Sequence, residues 1–226
     1  MKERPILFSG SMVRALLAGT KTQTRRVVKP QPDSRPGMEC TRVLFKNRKG
    51  DLVLDEAAEA KEPRLCAILC PYGQPGDRLW VREAFMHEPA DYCWEASVSI
   101  PCRPAETVYR ADFPNSQPGE GWKPSIHMPR KLSRISLEIT GVRVERLQDI
   151  NEQDAAAEGV ATWAPGALSP DSLNADPSDQ FRWLWSSING PDSWSANPWV
   201  WVVEFKRVQQ ASSGRPSQLE DAPCSA

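Results

Sequence analysis

The chain has few cysteines, few histidines and no long apolar run. Its 226 residues include six cysteines and two histidines. Residues 1–5 are charged and the apolar run after them is short, so no secretory signal is expected. Free thiols in a reducing cytoplasm are the simplest expectation. No segment approaches the ~20 consecutive apolar residues of a membrane helix, which predicts that the protein has no membrane-spanning helix.

An excess of charge of one sign is also missing. The 28 basic and 29 acidic residues give a net charge of -1, which argues against a protein that coats nucleic acid through long-range attraction. A local basic strip is present, because Lys21, Arg25, Arg26 and Lys29 fall close together. This strip could contact a phosphate or could be an ordinary solvated face.

A zinc-binding pattern is incomplete. Cys66 and Cys70 are four residues apart, with His87 and Cys93 downstream, but no second closely spaced pair of ligands follows them. We therefore expect no bound metal, and nothing in the chain calls for a cofactor.

Apolar periodicity predicts a strand, a helix and a strand in quick succession at the start of the chain. Residues 4–9 and 22–28 have strand character, and residues 11–17 have apolar side chains at helical spacing. Ser9 or Ser11 can cap this helix, and Gly19 suits its left-handed end.

Further elements follow with weakly patterned segments between them. In the strand predicted at residues 78–85, Leu79 and Val81 share one face. In the strongest strand signal, residues 133–147, Gly141 marks an irregularity. The remaining predictions are strands at 106–111 and 199–208 and helices at 149–158 and 180–188.

Short strands with a few brief helices favour an α+β fold built on a curled sheet or barrel. We expect one domain over residues 1–208, with long insertions near 38–72, 86–130 and 161–197. Residues 209–226 have little apolar surface to bury and are predicted to be disordered.

The segment GTKTQTRR, residues 19–26, has the highest concentration of side chains that could bind or react with a ligand. It places hydroxyls and three cations on one bend between a helix and a strand. It is no P-loop, because the glycine-rich phosphate cradle is missing.

Within this segment Gly19, Lys21 and Arg26 form the pattern G-x-K-x-x-x-x-R, which resembles the signature of ASCH domains of the PUA-like superfamily. The turn and strand PGDRLWV at 75–81 and the strand WVVEFK at 201–206 resemble further landmarks of that family, in the same order. The resemblance implies a compact, RNA-binding-type β-barrel with short flanking helices.

The core is most similar to bacterial enzymes that remove the acyl group from N4-acetylcytidine. By this resemblance Lys21 is the base, Thr24 the nucleophile and Glu158 the proton donor or anchor for the leaving amine. Partial burial and the neighbouring Arg25 and Arg26 would lower the pKa of the lysine. The expected ligand is a nucleoside, a nucleobase or a short single-stranded RNA.

Two other functions stay open. The same pocket could bind RNA or a modified nucleobase without catalysis, with Arg25 and Arg26 on phosphate. The whole chain also resembles phage and prophage ASCH proteins, through KTQTRR at 21–26, WVRE at 80–83 and HMPR at 127–130. A phage nuclease or counter-defence protein is therefore a third hypothesis.

Two more residues are candidates for substrate binding. Glu83 could point into the pocket as a second acid or as the partner of Lys21, or could be an ion-paired strand residue. His127 could touch a ligand or serve a structural hydrogen bond. Gly19 completes the predicted binding set with Arg25 and Arg26.

Overall fold

The computed structural model describes residues 1–31, 70–88, 106–115, 121–160 and 176–208, together with five strand backbones between these ranges. The strands are β1 (Glu3–Leu7), β2 (Gln23–Val27), β3 (Arg42–Lys46), β4 (Leu52–Leu54), β5 (Leu65–Ile68), β6 (Arg78–Arg82), β7 (Phe85–Glu88), β8 (Asp91–Glu95), β9 (Val98–Arg103), β10 (Glu106–Tyr109), β11 (Ser136–Arg146) and β12 (Trp199–Val208). The helices are α1 (Gly10–Ala18), α2 (Glu152–Ala157) and α3 (Pro177–Asn189).

Five of the strands form the main sheet, in the order β1-β6-β11-β12-β2. β1 runs parallel to β6, and every other neighbouring pair is antiparallel. Three smaller assemblies, β10-β7, β4-β3-β5 and β8-β9, lie outside this sheet. With its few helices the chain is an α+β protein, as its patterning predicts.

Strand β12, an interior strand of the sheet, separates two apolar cores. Trp201, Val203 and Phe205 belong to the first core, which also holds residues of α1, β6 and β11. Val200 and Val202 belong to the second, which holds residues of α2 and α3. Successive side chains of a strand point to opposite faces, so a strand that is covered on both sides needs the uninterrupted apolar run found here.

The two edge strands of the sheet, β1 and β2, approach each other through a side chain. Arg26 of β2 donates from Nη2 to the carbonyl oxygen of Leu7 in β1 at 2.6 Å. The Arg26 guanidinium lies 5.4 Å from the centre of the Phe8 ring. Among the described residues no backbone ladder joins β1 to β2.

Local signals located most of the main elements correctly. The Ser9 side chain accepts a hydrogen bond from the amide of Met12, and Gly19 ends α1 with a φ of 77°. The β11–β12 register shifts between Ile139 and Gly141, where the irregularity is predicted. The strand predicted at 106–111 is shorter, because a 3-10 turn follows β10 at Arg110–Asp112.

The predicted insertions contain more strands than the sequence indicates. β3, β4 and β5 lie within residues 38–72, β8 and β9 lie within 86–130, and β7 begins at Phe85 and extends into the second insertion. Part of the third insertion and the predicted tail at 209–226 lie outside the described residues. In the part of the chain that the structure describes, no helix is long and apolar enough to span a membrane.

Candidate functional site

Backbone contacts bring the segment after α1 against the end of α2. The amides of Thr20 and Lys21 both donate to the carbonyl of Ala15, at 3.0 and 3.2 Å. Thr22 donates to the carbonyl of Ala157 at 2.8 Å, and Lys21 forms an isolated β-bridge with Glu158. Two segments far apart in sequence therefore meet at Lys21.

The side chains of this bridge form a buried ion pair. Lys21 Nζ donates to Glu158 Oε2 at 2.8 Å and to the Glu158 carbonyl at 2.9 Å, across 137 residues of sequence. Lys21 is 2% exposed and Glu158 is 4% exposed. The Phe8 ring lies against the ammonium, with its centre 5.6 Å from Nζ.

Burial lowers the pKa of Lys21 below its ordinary value of 10.5, because the ammonium is removed from water. The carboxylate of Glu158 acts in the opposite direction, and the positive charges of Arg26 and Arg25 add to the lowering. The net lowering of the pKa favours the neutral amine, which is the form of lysine that can accept a proton as a base.

Arg25 extends the ion pair into a network. It donates from Nη1 to Glu158 Oε1 at 3.3 Å, from Nη2 to Asp154 Oδ2 at 2.9 Å and from Nε to Glu145 Oε1 at 3.1 Å. Arg143 bonds the same Asp154 at 2.7 Å. Burial opposes ionisation of Asp154, but Arg143 and Arg25 outweigh it and lower its pKa. The network holds Glu158 in place.

Thr24 and Glu158 line one small cavity of about 60 Å³. Thr24 is 2% exposed and pairs with Val203 in the β2–β12 ladder, which determines its backbone position. Arg25 and Arg26 line the same cavity, and α3 closes it with a set of mostly apolar side chains, Phe181, Leu184, Trp185, Ile188 and Asn189.

Two residues that line this cavity each carry a buried hydrogen-bond donor with no partner among the described residues. Arg26 Nε and Trp185 Nε1 are buried and unpaired among the described residues, and both residues line the cavity. Leaving a buried donor unpaired costs about 1–3 kcal/mol. A ligand with an acceptor oxygen would remove that cost.

Gly159 controls how closely α2 approaches Lys21. Its φ is 81°, and a Cβ added there would lie 2.8 Å from the Cβ of Ala15 and 3.0 Å from the Cβ of Lys21. Any larger residue would push against α1 and against the lysine itself.

We expect Gly159→Ala to lower the free energy of unfolding by about 2–4 kcal/mol, since it combines a left-handed alanine with overpacking. Gly19→Ala is the matched control, because Gly19 also has a positive φ of 77° but no atom lies within 4 Å of its added Cβ. In that control the free energy of unfolding should fall by only about 1–2 kcal/mol. Urea denaturation followed by circular dichroism measures both, and equal losses would show that the close approach to Lys21 has no energetic effect.

The structure places the predicted site residues in two groups. Lys21, Thr24, Arg25, Arg26 and Glu158 come together at the cavity and its ion pair. Gly19 is the left-handed cap that leads into this group.

Glu83 and His127 lie elsewhere. Glu83, 1% exposed, accepts from Arg134 Nε at 2.9 Å and from Nη2 at 3.0 Å. Desolvation raises the pKa of Glu83. His127 is exposed in the 3-10 turn Ser125–His127.

Possible metal ligands can be examined among the described residues. Among them no group of three histidine, cysteine or acidic side chains is placed to hold an ion. Cys70 is a free thiol, and burial raises its pKa to about 11. The side chains of Cys66 and Cys93 lie outside the described residues.

Sequence reasoning missed the ion-pair network around Arg25 and the packing of α3 over the cavity. Asp154 and Glu145 carry no local motif, and only their pairing with Arg25 gives them a role. The apolar face of α3 is predicted by its spacing, since Phe181, Leu184 and Trp185 recur on one side. Its position over Thr24 could not be predicted.

No protein-family model, no curated protein and no solved structure matches this chain. The function must therefore be argued from the site's geometry and from the motif resemblance.

Proposed function

We propose that the protein is an amidohydrolase that removes an acyl group from an N4-acylated cytosine nucleoside or a related nucleobase. The observation that carries the proposal is the buried Lys21–Glu158 pair, at 2.8 Å, beside a cavity that Glu158 shares with Thr24. A lysine base, a hydroxyl nucleophile and an anchoring carboxylate are the groups that such a reaction needs.

The size of the cavity supports a small acyl group as its occupant. A volume of about 60 Å³ is several times the ~10–15 Å³ that one water needs, and far below the ~300 Å³ at which pockets for whole drug-sized ligands begin. The unpaired donors of Arg26 and Trp185 suit the acyl oxygen, where negative charge develops during acyl transfer.

The proposed reaction proceeds in two stages. Neutral Lys21 takes the proton of Thr24 Oγ1, which attacks the amide carbonyl and forms the new carbon–oxygen bond. The carbon–nitrogen bond then breaks, and Lys21 returns its proton to the departing exocyclic amine. Lys21 then takes a proton from water, and the resulting hydroxide attacks the acyl carbon. The bond between this carbon and Thr24 Oγ1 breaks, Lys21 returns the proton to Oγ1, and the carboxylic acid is released. Glu158 accepts hydrogen bonds from both Lys21 and Arg25, and these hold its carboxylate in position to anchor the leaving amine.

The ASCH, PUA-like barrel is the fold we propose for the core. Three features support it. The antiparallel β11–β12 pair is central to the sheet, the edge strands β1 and β2 approach each other through Arg26 and Leu7, and the motif residues 19–26 lead into one of those edges. The cytoplasm of a bacterial host is the location that the phage-type resemblance favours.

A second function, non-catalytic binding of RNA or of a modified nucleobase, is favoured by one observation. Lys21 directs two hydrogen bonds to Glu158, which is the arrangement of a structural ion pair. In this alternative the unpaired donors of the cavity hold a ligand that is not consumed.

Incubation of the purified protein with N4-acetylcytidine tests the proposal. We expect chromatography to show cytidine and acetate in equal amounts. The rate should rise with pH through the pKa of Lys21, which lies below 10.5, because only the neutral amine can accept the proton.

Lys21→Arg is the informative variant for this experiment, since arginine keeps the positive charge but does not deprotonate in proteins. It should bind N4-acetylcytidine and fail to hydrolyse it. Hydrolysis by Lys21→Arg at the wild-type rate would refute the lysine base. Binding without turnover by the wild-type protein would favour the non-catalytic function.

A further inference from the structure

A second and much larger cavity has Phe8 in its wall. Its volume is about 410 Å³, and its wall includes Phe8, Ser11, Arg14, Arg110, Phe113 and Ser125. Cavities of ~300–1,000 Å³ are the usual size for small-molecule sites. Of its wall residues, Phe8 also contacts Lys21, and none of them lines the smaller cavity beside Thr24.

The charge of this cavity suits an anion. Arg14 and Arg110 line it, and no acidic residue is part of its described wall. Among the described residues Arg14 donates to the carbonyl of Ala111 at 3.3 Å, and its guanidinium, which has five N–H donors, can bind a further acceptor.

Two carboxylates near the cavity share one arginine. Arg134 bonds Glu83 at 2.9 Å and Asp112 at 2.7 Å. Glu83 precedes the wall residue Ala84, and Asp112 lies between the wall residues Ala111 and Phe113. Arg134 offsets one of the two negative charges, and Arg14 and Arg110 outweigh the other, so the local charge still favours a bound anion.

The cavity also offers aromatic surface and hydroxyl groups. Phe113 is 50% exposed, and its ring centre lies 6.2 Å from that of Trp122. Exposed aromatic rings stack on nucleobases. Ser11 and Ser125 supply hydroxyl donors in the same wall. A planar base, a sugar and an anionic group therefore each find a matching surface.

We propose that this cavity binds a mononucleotide, with its phosphate on Arg14 and Arg110 and its base against Phe113. Guanidinium groups form charge-assisted hydrogen bonds with phosphate oxygens, which are stronger than neutral ones. The site is independent of the proposed hydrolase. A protein without hydrolase activity would still bind the nucleotide here, and an active hydrolase would not require it.

Isothermal titration calorimetry of the full chain with the four ribonucleoside 5′-monophosphates, their nucleosides and inorganic phosphate tests this proposal. We expect at least one monophosphate to bind at least tenfold more tightly than both its nucleoside and inorganic phosphate. Arg14→Gln and Arg110→Gln should each lower the affinity for that nucleotide about tenfold or more, without changing the affinity for the nucleoside. Arg207→Gln is the matched control, because Arg207 is exposed on β12 and does not line the cavity.

Phe113→Ala provides a second test at an exposed position, where loss of folding is not expected. It should lower the affinity for the nucleotide and leave the affinity for inorganic phosphate unchanged. Three results would overturn the proposal: equal affinity for nucleotide and nucleoside, no binding of any monophosphate, or wild-type affinity in both arginine variants. Inorganic phosphate as tight as the nucleotides would disprove the contact between base and Phe113.

Discussion

Replacing Thr24 by alanine should abolish hydrolysis of N4-acetylcytidine while leaving its binding nearly unchanged. Removal of the nucleophile from a hydrolase that forms a covalent intermediate lowers kcat by several orders of magnitude, and we expect a loss of at least about 10³-fold here. The fold should tolerate the change, because Thr24 is held through its backbone pairing with Val203.

Thr22→Ala is the matched control for this experiment. Thr22 lies two residues earlier, is exposed and serves the fold through its backbone, whose amide donates to Ala157 and whose carbonyl accepts from Phe205. Its turnover should stay within about twofold of wild type, as for an ordinary surface substitution. Chromatography gives kcat and calorimetry gives the affinity. Hydrolysis by Thr24→Ala at a rate near that of Thr22→Ala would remove Thr24 from the reaction.

Replacing Glu158 by glutamine should destabilise the protein by about 3–5 kcal/mol, because breaking a buried ion pair leaves an uncompensated charge. Lys21 and Arg25 both donate to this carboxylate, at 2.8 and 3.3 Å. Urea denaturation at neutral pH measures the change. The double variant Lys21→Met with Glu158→Gln should lose less than the sum of the two single losses, since no lysine is then stranded. A loss below about 1 kcal/mol in Glu158→Gln would contradict this account.

The same variant has a pH dependence whose sign follows from Lys21. Burial lowers the pKa of Lys21 in the folded state below 10.5, so the folded chain binds fewer protons than the unfolded chain between those two values. The stabilising contribution is fully present above 10.5 and is lost as the pH falls through the folded pKa. The carboxylate of Glu158 raises the pKa of Lys21, so its removal should extend to lower pH the range over which Lys21 makes stability depend on pH. The stability of Glu158→Gln should therefore begin to rise at a lower pH than that of wild type.

Several elements of the fold could be predicted because their signals are local. Ser9 and Gly19 bound α1, Asn151 caps α2, and alternation in β6 buries Leu79 and Val81. Apart from β10, the short strands in residues 38–72 and 86–130 were missed. These segments carry no clear alternation, and their strands pair in small assemblies outside the main sheet, so tertiary pairing outweighs local propensity there.

Part of the site was predictable for a different reason. Lys21 and Thr24 lie three residues apart within one recognisable segment, and the resemblance to the ASCH signature singled them out. Glu158 depended on a long-range alignment, and its contact with Lys21 spans 137 residues. By sequence Glu83 was the alternative acid or Lys21 partner, but its hydrogen bonds go to Arg134.

By itself the sequence determined the α+β class, the capped ends of its helices and the chemistry-bearing segment 19–26, because periodicity and capping act over a few residues. Only the tertiary structure decided that Glu158 pairs with Lys21, that Arg25 holds this carboxylate within a network, and that α3 closes a cavity over Thr24. Burial and charge pairing depend on which distant segments meet. For that reason the burial that lowers the pKa of Lys21 is established by the structure, while Lys21 and Thr24 themselves can be named from the sequence.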